Sequence, residues 1–544
     1  MKLHSLSKLN LYLVIINILI WSAYLRIYPT VTYHPIPGSW AVWLIYPIEY
    51  IVKYGHIISI NPNIITTSYT YGIYTGLDDI TRNVYPAIIL IIMGFTTIDQ
   101  YTIYHRFYLI EGLVIFPFAI LSLYSYLNKN KGKLDYVEII LIYLLAVFGN
   151  WLTIKWTSFS LISETTGMEW TFMIFIFYSL LRYKESPVFP FLYVFFTVTT
   201  ITIHRPAALF LLCIMISMLI FKLILKDKQL RRYELSTIYL PIILIISYYI
   251  FISNNFFDFM VKVTLDLSSF FDHRSSVFSS YLINTSSSYL IYRVINIILS
   301  QIPILIFMYY FIRKRYSLIG GEKVSSCVSG WIASIVIFSI GIFAWAGLQG
   351  IYSRTNVYSF LVSMIVFIVI LTSPDKTKYL KLIKYLLLIS VIMSIFTFSP
   401  PSEPKTDKLT YSEFSSLNWI SRNINQNSTI FSEYRIVTPL ILYDFFKLIG
   451  VEDVGDPNKT IKYLETLYYK ENTEEAVKSL NEINIKGESI NYIYLSRRLA
   501  DEKLGIHCNT YVFKSAAQNF TDKFDTPELN LVYNNDIGII YTRV

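Results

Sequence analysis

The stretch Arg205-Pro-Ala-Ala-Leu-Phe-Leu-Leu-Cys-Ile-Met-Ile-Ser-Met-Leu-Ile-Phe-Lys-Leu-Ile224, closed by the basic run from Lys226 to Arg232, decides the fold. An apolar run of this length matches the hydrocarbon core of a bilayer. A cationic cluster directly after it marks the cytoplasmic end of a span. The same grammar recurs near 9–26, 104–127, 135–156, 169–182, 188–203, 235–253, 293–312, 328–347, 356–373 and 382–399, which predicts about eleven transmembrane helices. With the N-terminus cytoplasmic, the clusters Lys129-Asn-Lys131-Gly-Lys133, Arg182-Tyr-Lys184, Lys226 to Arg232, Arg313-Lys-Arg315 and Lys376 to Lys384 all fall inside.

Composition agrees with lipid as the main solvent. The 544 residues are 54% hydrophobic and only 15% charged, a balance foreign to a water-soluble fold of this length. The net charge of +9 lies in short clusters between apolar runs, so it reads as topology signal and no nucleic-acid partner is expected. The first run, Leu9 to Leu25, follows Lys2 and Lys8 without a small-residue cleavage site and is expected to stay as a helix. Three cysteines, Cys213, Cys327 and Cys508, form no disulfide or metal pattern.

This orientation places outside the long first loop 27–103, the loop 157–168, the loop 254–292, the turn 348–355 and the tail from Ser399. The sequence divides into a membrane domain, 1–400, and an extracytoplasmic domain, 401–544, whose charge density is that of a soluble protein. The sequons at Asn284, Asn427, Asn458 and Asn519 fall on the outer side. In the first loop, Trp40, Leu44, Ile48, Ile51 and Gly55 recur at helical spacing opposite Glu49, Lys53 and His56, which predicts an interfacial helix interrupted at Pro47. Tyr85 to Phe95 is too short for a span and is expected at the membrane surface. In the tail a helix over Tyr411 to Asn425 is expected, with strands at Ser428-Thr-Ile-Phe-Ser432, at Tyr492-Ile-Tyr-Leu495 and on both sides of the turn Asn534-Asn-Asp536.

Several local features bear on family. Val84-Tyr-Pro86 opens an apolar helix, the second outer loop is short and acidic, and His204-Arg-Pro-Ala-Ala-Leu209 opens another helix. The tail carries Glu413 through Trp419-Ile-Ser-Arg-Asn423 and closes with Val532-Tyr-Asn-Asn-Asp-Ile-Gly-Ile-Ile-Tyr541. With the long first loop and the outer α/β tail, these features resemble the GT-C superfamily of membrane glycosyltransferases, its archaeal members in particular. The resemblance implies an α-helical polytopic fold and an inverting transfer of sugar from a polyprenyl-phosphate carrier to a protein or lipid acceptor outside the cell membrane.

Such a reaction needs a base for the acceptor and cations for the departing phosphate. The family supplies its acid as Asp-x-Asp or a relative in the first outer loop. No Asp-x-Asp occurs here, and the pair Asp78-Asp79, shortly before Tyr85-Pro86, is its best substitute. A Gly-Leu-Asp-Asp turn is also an ordinary helix cap. Glu49, Glu164 and Glu169 are secondary acidic candidates, the last two at a helix start where acids are favoured in any case. Arg354, Arg205 and Lys155 run against the positive-inside trend, so they and His204 are the candidates for holding a donor phosphate, with snorkelling to lipid headgroups as the alternative. No residue pattern identifies a cofactor, and a divalent cation is left open. The Trp-Trp-Asp motif of oligosaccharyltransferase catalytic subunits is absent, which points to another acceptor. Two rival readings are a GT-C-fold scaffold without catalysis and a transporter, the latter drawing attention to Glu111 and Glu138 within or beside apolar runs.

Overall fold

In the computed structural model of the chain the described residues are 13–21, 23, 48, 50–55, 80–94, 110–129, 138–146, 164–203, 205–224, 232–251, 301–313, 321–350, 355–373 and 409–433, scattered positions over 436–449, and 462–543 with short gaps. Unbroken Ile, Leu, Phe and Val runs wind into α1 (Ile80–Ile92), α2 (Phe116–Leu127), α3 (Glu164–Arg182) and α4 (Val188–Ile203). They continue as α5 (Arg205–Ile224), α6 (Arg232–Phe251), α7 (Gly321–Gly350) and α8 (Asn356–Thr372). Helices start earlier than expected at α7, which begins at Gly321, at α3, which begins at Glu164, and at α1, which begins at Ile80 and carries Pro86 inside it. On one face α1 sends Ala87 and Leu90 into the common helical core, and on the other it leaves Ile88, Ile91 and Ile92 exposed.

Small residues set the closest helix approach. A Cβ added at Gly330 on α7 would lie 2.5 Å from Met218 Cγ and 3.1 Å from Met218 Cα on α5, so only glycine allows this distance. The outer faces are apolar as well. Phe191 and Phe195 on α4, Ile243 and Ile246 on α6, and Val336 and Ile340 on α7 are all exposed. Among the described residues one helix is long and apolar enough by itself to cross a membrane, through Val324–Gly341 of α7 with mean hydropathy 1.8; other apolar helical stretches are shorter. Against the expectation of about eleven spans, the described residues give a helical protein with at least one candidate span. The expected helix at 382–399 lies outside them.

The C-terminal α/β region is separate. Its sheet runs β2 (Leu448–Ile449), β1 (Ile430–Phe431), β5 (Tyr492–Ser496), β9 (Gly538–Arg543), β8 (Leu529–Asn534), with β1 parallel to both its neighbours and the other pairings antiparallel. Two small antiparallel pairs, β3 (Asn484–Ile485) with β4 (Glu488–Ser489) and β6 (His507–Cys508) with β7 (Tyr511–Val512), are separate from it. Side chains alternate across it with period two. Ile430, Tyr494 and Ile540 face a cluster with Leu417 and Ile420 of α9 (Tyr411–Asn423), whereas Phe431, Ile493 and Ile539 face one with Leu467 and with Leu480 of α10 (Thr473–Glu482). The result is helix, sheet, helix in three layers. The β8–β9 turn places Asp536 at φ 68°, a left-handed position that Asp tolerates better than most residues.

A helical turn of the first loop meets both cores. Ile48 and Ile51 are buried in the helical core, and Tyr50 packs against the cluster on the α9 side of the sheet.

Candidate functional site

Pro117 has no N–H to donate back to Leu113, and its ring would crowd that carbonyl. The backbone widens instead into a π-helical turn, Glu111–Ile115, with the Phe116 N–H bonded to the Glu111 carbonyl. This turn puts Glu111 into the interior, 3% exposed. Thr171 on α3 donates its hydroxyl to Glu111 Oε1 at 2.6 Å. The Tyr85 hydroxyl on α1 also hydrogen-bonds this carboxylate, while its ring meets Phe172 edge-on at 5.1 Å.

Glu169 is buried on the same helix, 1% exposed, and its Oε2 accepts the Tyr358 hydroxyl of α8 at 2.7 Å. Tyr358 is itself held, stacked on Phe210 at 4.5 Å and edge-on to Phe338. Residues two apart on a helix point to nearly opposite sides. Glu169 and Thr171 therefore serve different faces of α3, one toward α8 and one toward the π turn and α1. Trp170 between them stacks on Phe360 of α8 at 5.5 Å and neighbours Phe116 of α2 at 6.4 Å. Buried carboxylates held by hydroxyl donors can accept a proton or hold a cation.

Of the acids chosen from sequence, Glu169 is the one whose side chain is described, and it lies in the helical core as an acceptor for Tyr358. Glu164 opens α3 and Arg205 opens α5, with only their backbone described. Asp78, Asp79, Glu49, Lys155, His204 and Arg354 lie outside the described residues. By chain position Asp78 and Asp79 directly precede α1, which carries Tyr85 to Glu111. In the sequence Glu111 stands out only as an ionisable residue inside an apolar run, a feature shared with transporters. Thr171 and Tyr358 carried no signal of their own. Glu138 is also buried. No three His, Cys, Asp or Glu side chains gather as a metal site among the described residues.

In the tail, Glu413 is fully buried and multiply held. It forms a capping box with Thr410, accepts the Ser496 hydroxyl at 2.7 Å and pairs with Arg498 at 2.6 Å. Trp419 stacks on Tyr533 at 4.9 Å, so the two tail stretches singled out in the sequence meet as structure. Lys523, 4% exposed, donates to the carbonyls of Thr466 and Lys470 at the end of the π turn Glu465–Tyr469. Burial pushes its pKa down to about 8, against a weaker upward pull from Glu471. No family model matches the chain, and no curated protein matches it in sequence.

Proposed function

We propose that the chain is a GT-C-like membrane glycosyltransferase, crossing the bilayer many times and moving a sugar from a polyprenyl-phosphate carrier to an acceptor on the outer face. The observation that carries this reading is one helical turn that reaches two cores, Ile48 and Ile51 in the helical one and Tyr50 against that of the tail. A lipid-linked sugar has its carrier in the bilayer and its sugar in water, so the chemistry must be held at the boundary between a helical domain and an aqueous one. The first loop is fixed to both through Ile48, Tyr50 and Ile51. Further along that loop come Asp78 and Asp79, then α1 with Tyr85 on Glu111. A lipid surround is supported by the exposed Phe and Ile side chains of α4, α6 and α7, since apolar area in water costs about 25 cal/mol per Å².

In this reading one of Asp78 and Asp79 activates the acceptor and the other orients the loop or a metal, while Arg354, Arg205, His204 and Lys155 hold the phosphate that leaves. A transfer assay in vesicles with a polyprenyl-phosphate sugar tests it. Asp78→Asn and Asp79→Asn should differ, the more severe losing about 100-fold or more in turnover. Full turnover in the double variant would overturn the assignment.

The buried acids Glu111, Glu138 and Glu169 favour a transporter as the second reading. Solute uptake into vesicles that is lost in Glu111→Gln, in a protein without transfer activity, would establish it in place of the first.

A further inference from the structure

Between α2 and α3 runs an open groove of about 420 Å³ whose chemistry changes along its length. On α2 the lining positions Phe118, Ser122, Ser125 and Lys129 follow one helical face, spanning about 16 Å at 1.5 Å per residue. At the deep end, Phe118 is an exposed ring in contact with Phe175 of α3, and Leu121 lies beside it. At the waist, the hydroxyls of Ser122 and Ser125 make no hydrogen bond among the described residues. At the mouth stand Lys129 and Arg182.

Arg182 is fixed in place before any ligand arrives. Its guanidinium lies 4.0 Å from the Phe189 ring centre, also faces Tyr126 and Tyr178, donates to the Tyr178 hydroxyl, and pairs with Glu185 at 2.7 Å. Lys129 is exposed and makes no ion pair among the described residues. The two connections at this end, 128–135 and 182–187, hold the cations Lys129, Lys131, Lys133, Arg182 and Lys184 against the acids Asp135 and Glu185. The excess charge is positive.

From this order of apolar wall, free hydroxyls and cationic mouth, we infer that the groove binds one anionic phospholipid. Its phosphate meets Lys129 and the exposed edge of Arg182, its glycerol ester carbonyls accept from Ser125 and Ser122, and an acyl chain lies along Phe118 and Leu121. The site is independent of sugar transfer. It lies among the cations that the sequence assigns to the cytoplasmic side, whereas the proposed chemistry belongs outside, and the two share only the premise that the bundle sits in lipid.

The test uses the full chain purified in detergent, with retained lipid read by native mass spectrometry after exposure to phosphatidylglycerol, phosphatidylcholine or inorganic phosphate. The wild type should retain phosphatidylglycerol over phosphatidylcholine by about fivefold or more, the effect of roughly one cation near a headgroup. Lys129→Glu should bring the ratio near one, and Ser122→Phe, which fills the waist, should remove the bound lipid of either kind. If Ser122→Phe fails to fold, Lys129→Glu decides alone, because its side chain is exposed and supports no packing. No preference in the wild type, or an unchanged preference in Lys129→Glu, overturns the site. Displacement of the lipid by excess inorganic phosphate assigns the mouth to free phosphate and overturns the lipid. A chain that stays soluble without detergent removes the shared membrane premise, whereas a lost preference with the detergent requirement intact removes only this groove.

Discussion

Thr171 donates its hydroxyl to Glu111 at 2.6 Å, tying the middle of α3 to a π-helical turn that begins at the acid itself. The bond joins two elements far apart in sequence inside the helical core, where a carboxylate without a donor is costly. Tyr85 brings α1 to the same oxygen-rich point. Three segments are thus registered on one side chain, while the opposite face of α3 is registered separately through Glu169 and Tyr358.

Thr171→Val keeps the shape of the side chain and removes the donor. The purified protein should lose about 2 kcal/mol, the worth of a hydrogen bond to a charged group, read as a lower unfolding temperature in detergent. Glu111→Gln should cost less, because the amide oxygen still accepts from Thr171. Equal stability of Thr171→Val and wild type would show that Glu111 draws its stabilisation elsewhere.

Gly330 tests the helix packing directly. Gly330→Ala places a methyl against Met218, whose flexible end can yield but whose Cα cannot, so a cost of about 1–3 kcal/mol is expected from overpacking. Gly341→Ala on the same helix meets nothing within 4 Å and is the matched control. If both variants unfold at the same temperature, the α5–α7 contact is looser than described.

Much of this architecture was legible in the sequence. The limits of α4 and α5 agree with the apolar runs because charges, prolines and hydropathy change together at their ends. In the tail the α9 helix and the β5, β8 and β9 strands followed from capping, alternation and the Asn-Asn-Asp turn. The strand β1 was legible within Ser428–Ser432, but β2 and its parallel pairing were not, since a two-residue strand gains its pairing from long-range contacts rather than local propensity. The polar contacts of Glu111 and Glu169 were hidden for the same reason: a hydroxyl partner such as Tyr358 is distant in sequence and leaves no periodic trace. Asp78 and Asp79 stand as sequence reasoning left them, in a loop outside the described residues.

Glu413, fully buried, pairs with half-buried Arg498 at 2.6 Å, joining α9 to the segment after β5. Glu413→Ala takes the carboxylate away from Arg498 and Ser496 and also opens the capping box, so a loss of about 3 kcal/mol is expected. Arg498→Met should cost less, because Ser496 and the Thr410 backbone N–H still satisfy the carboxylate. A double-mutant cycle gives the coupling, and a value near zero would mean that solvent replaces the pair.

Lys523 makes the tail's stability depend on alkaline pH. Its folded pKa of about 8 lies below the ordinary 10.5, so between those values the unfolded chain binds more protons than the native one. Stability should therefore rise as pH increases from about 8 to about 10.5, by up to about 3 kcal/mol, and be flat in this respect below 8. Hydrogen exchange of the tail's sheet amides, corrected for the intrinsic rate, should show the rise in wild type and lack it in Lys523→Met. A parallel pH profile in the two proteins would mean that the Thr466 and Lys470 carbonyls hold the ammonium charged throughout.

The contact of Tyr50 with the tail's core carries a topological consequence. Ile48 and Ile51 touch the helical core while Tyr50 touches the tail, so the first loop and the tail must lie on one side of any membrane the helices cross. On the orientation expected from the basic clusters, that side is the outer one. Introduced cysteines report on it, because Cys327 is buried and Cys213 half-buried, which keeps the background of thiol labelling low. A membrane-impermeant maleimide on intact cells should label a cysteine placed at exposed Asn519 or at exposed Asn427, with Cys508 changed to Ser, as readily as in permeabilised cells. A cysteine at exposed Lys129 should react only after permeabilisation. Tyr50→Ala should leave this sidedness intact, since topology is set by charge during insertion, yet raise protease sensitivity between the first loop and the tail. Labelling of Lys129→Cys from outside, with Asn519→Cys protected, would invert the orientation and move the proposed chemistry to the cytoplasmic face.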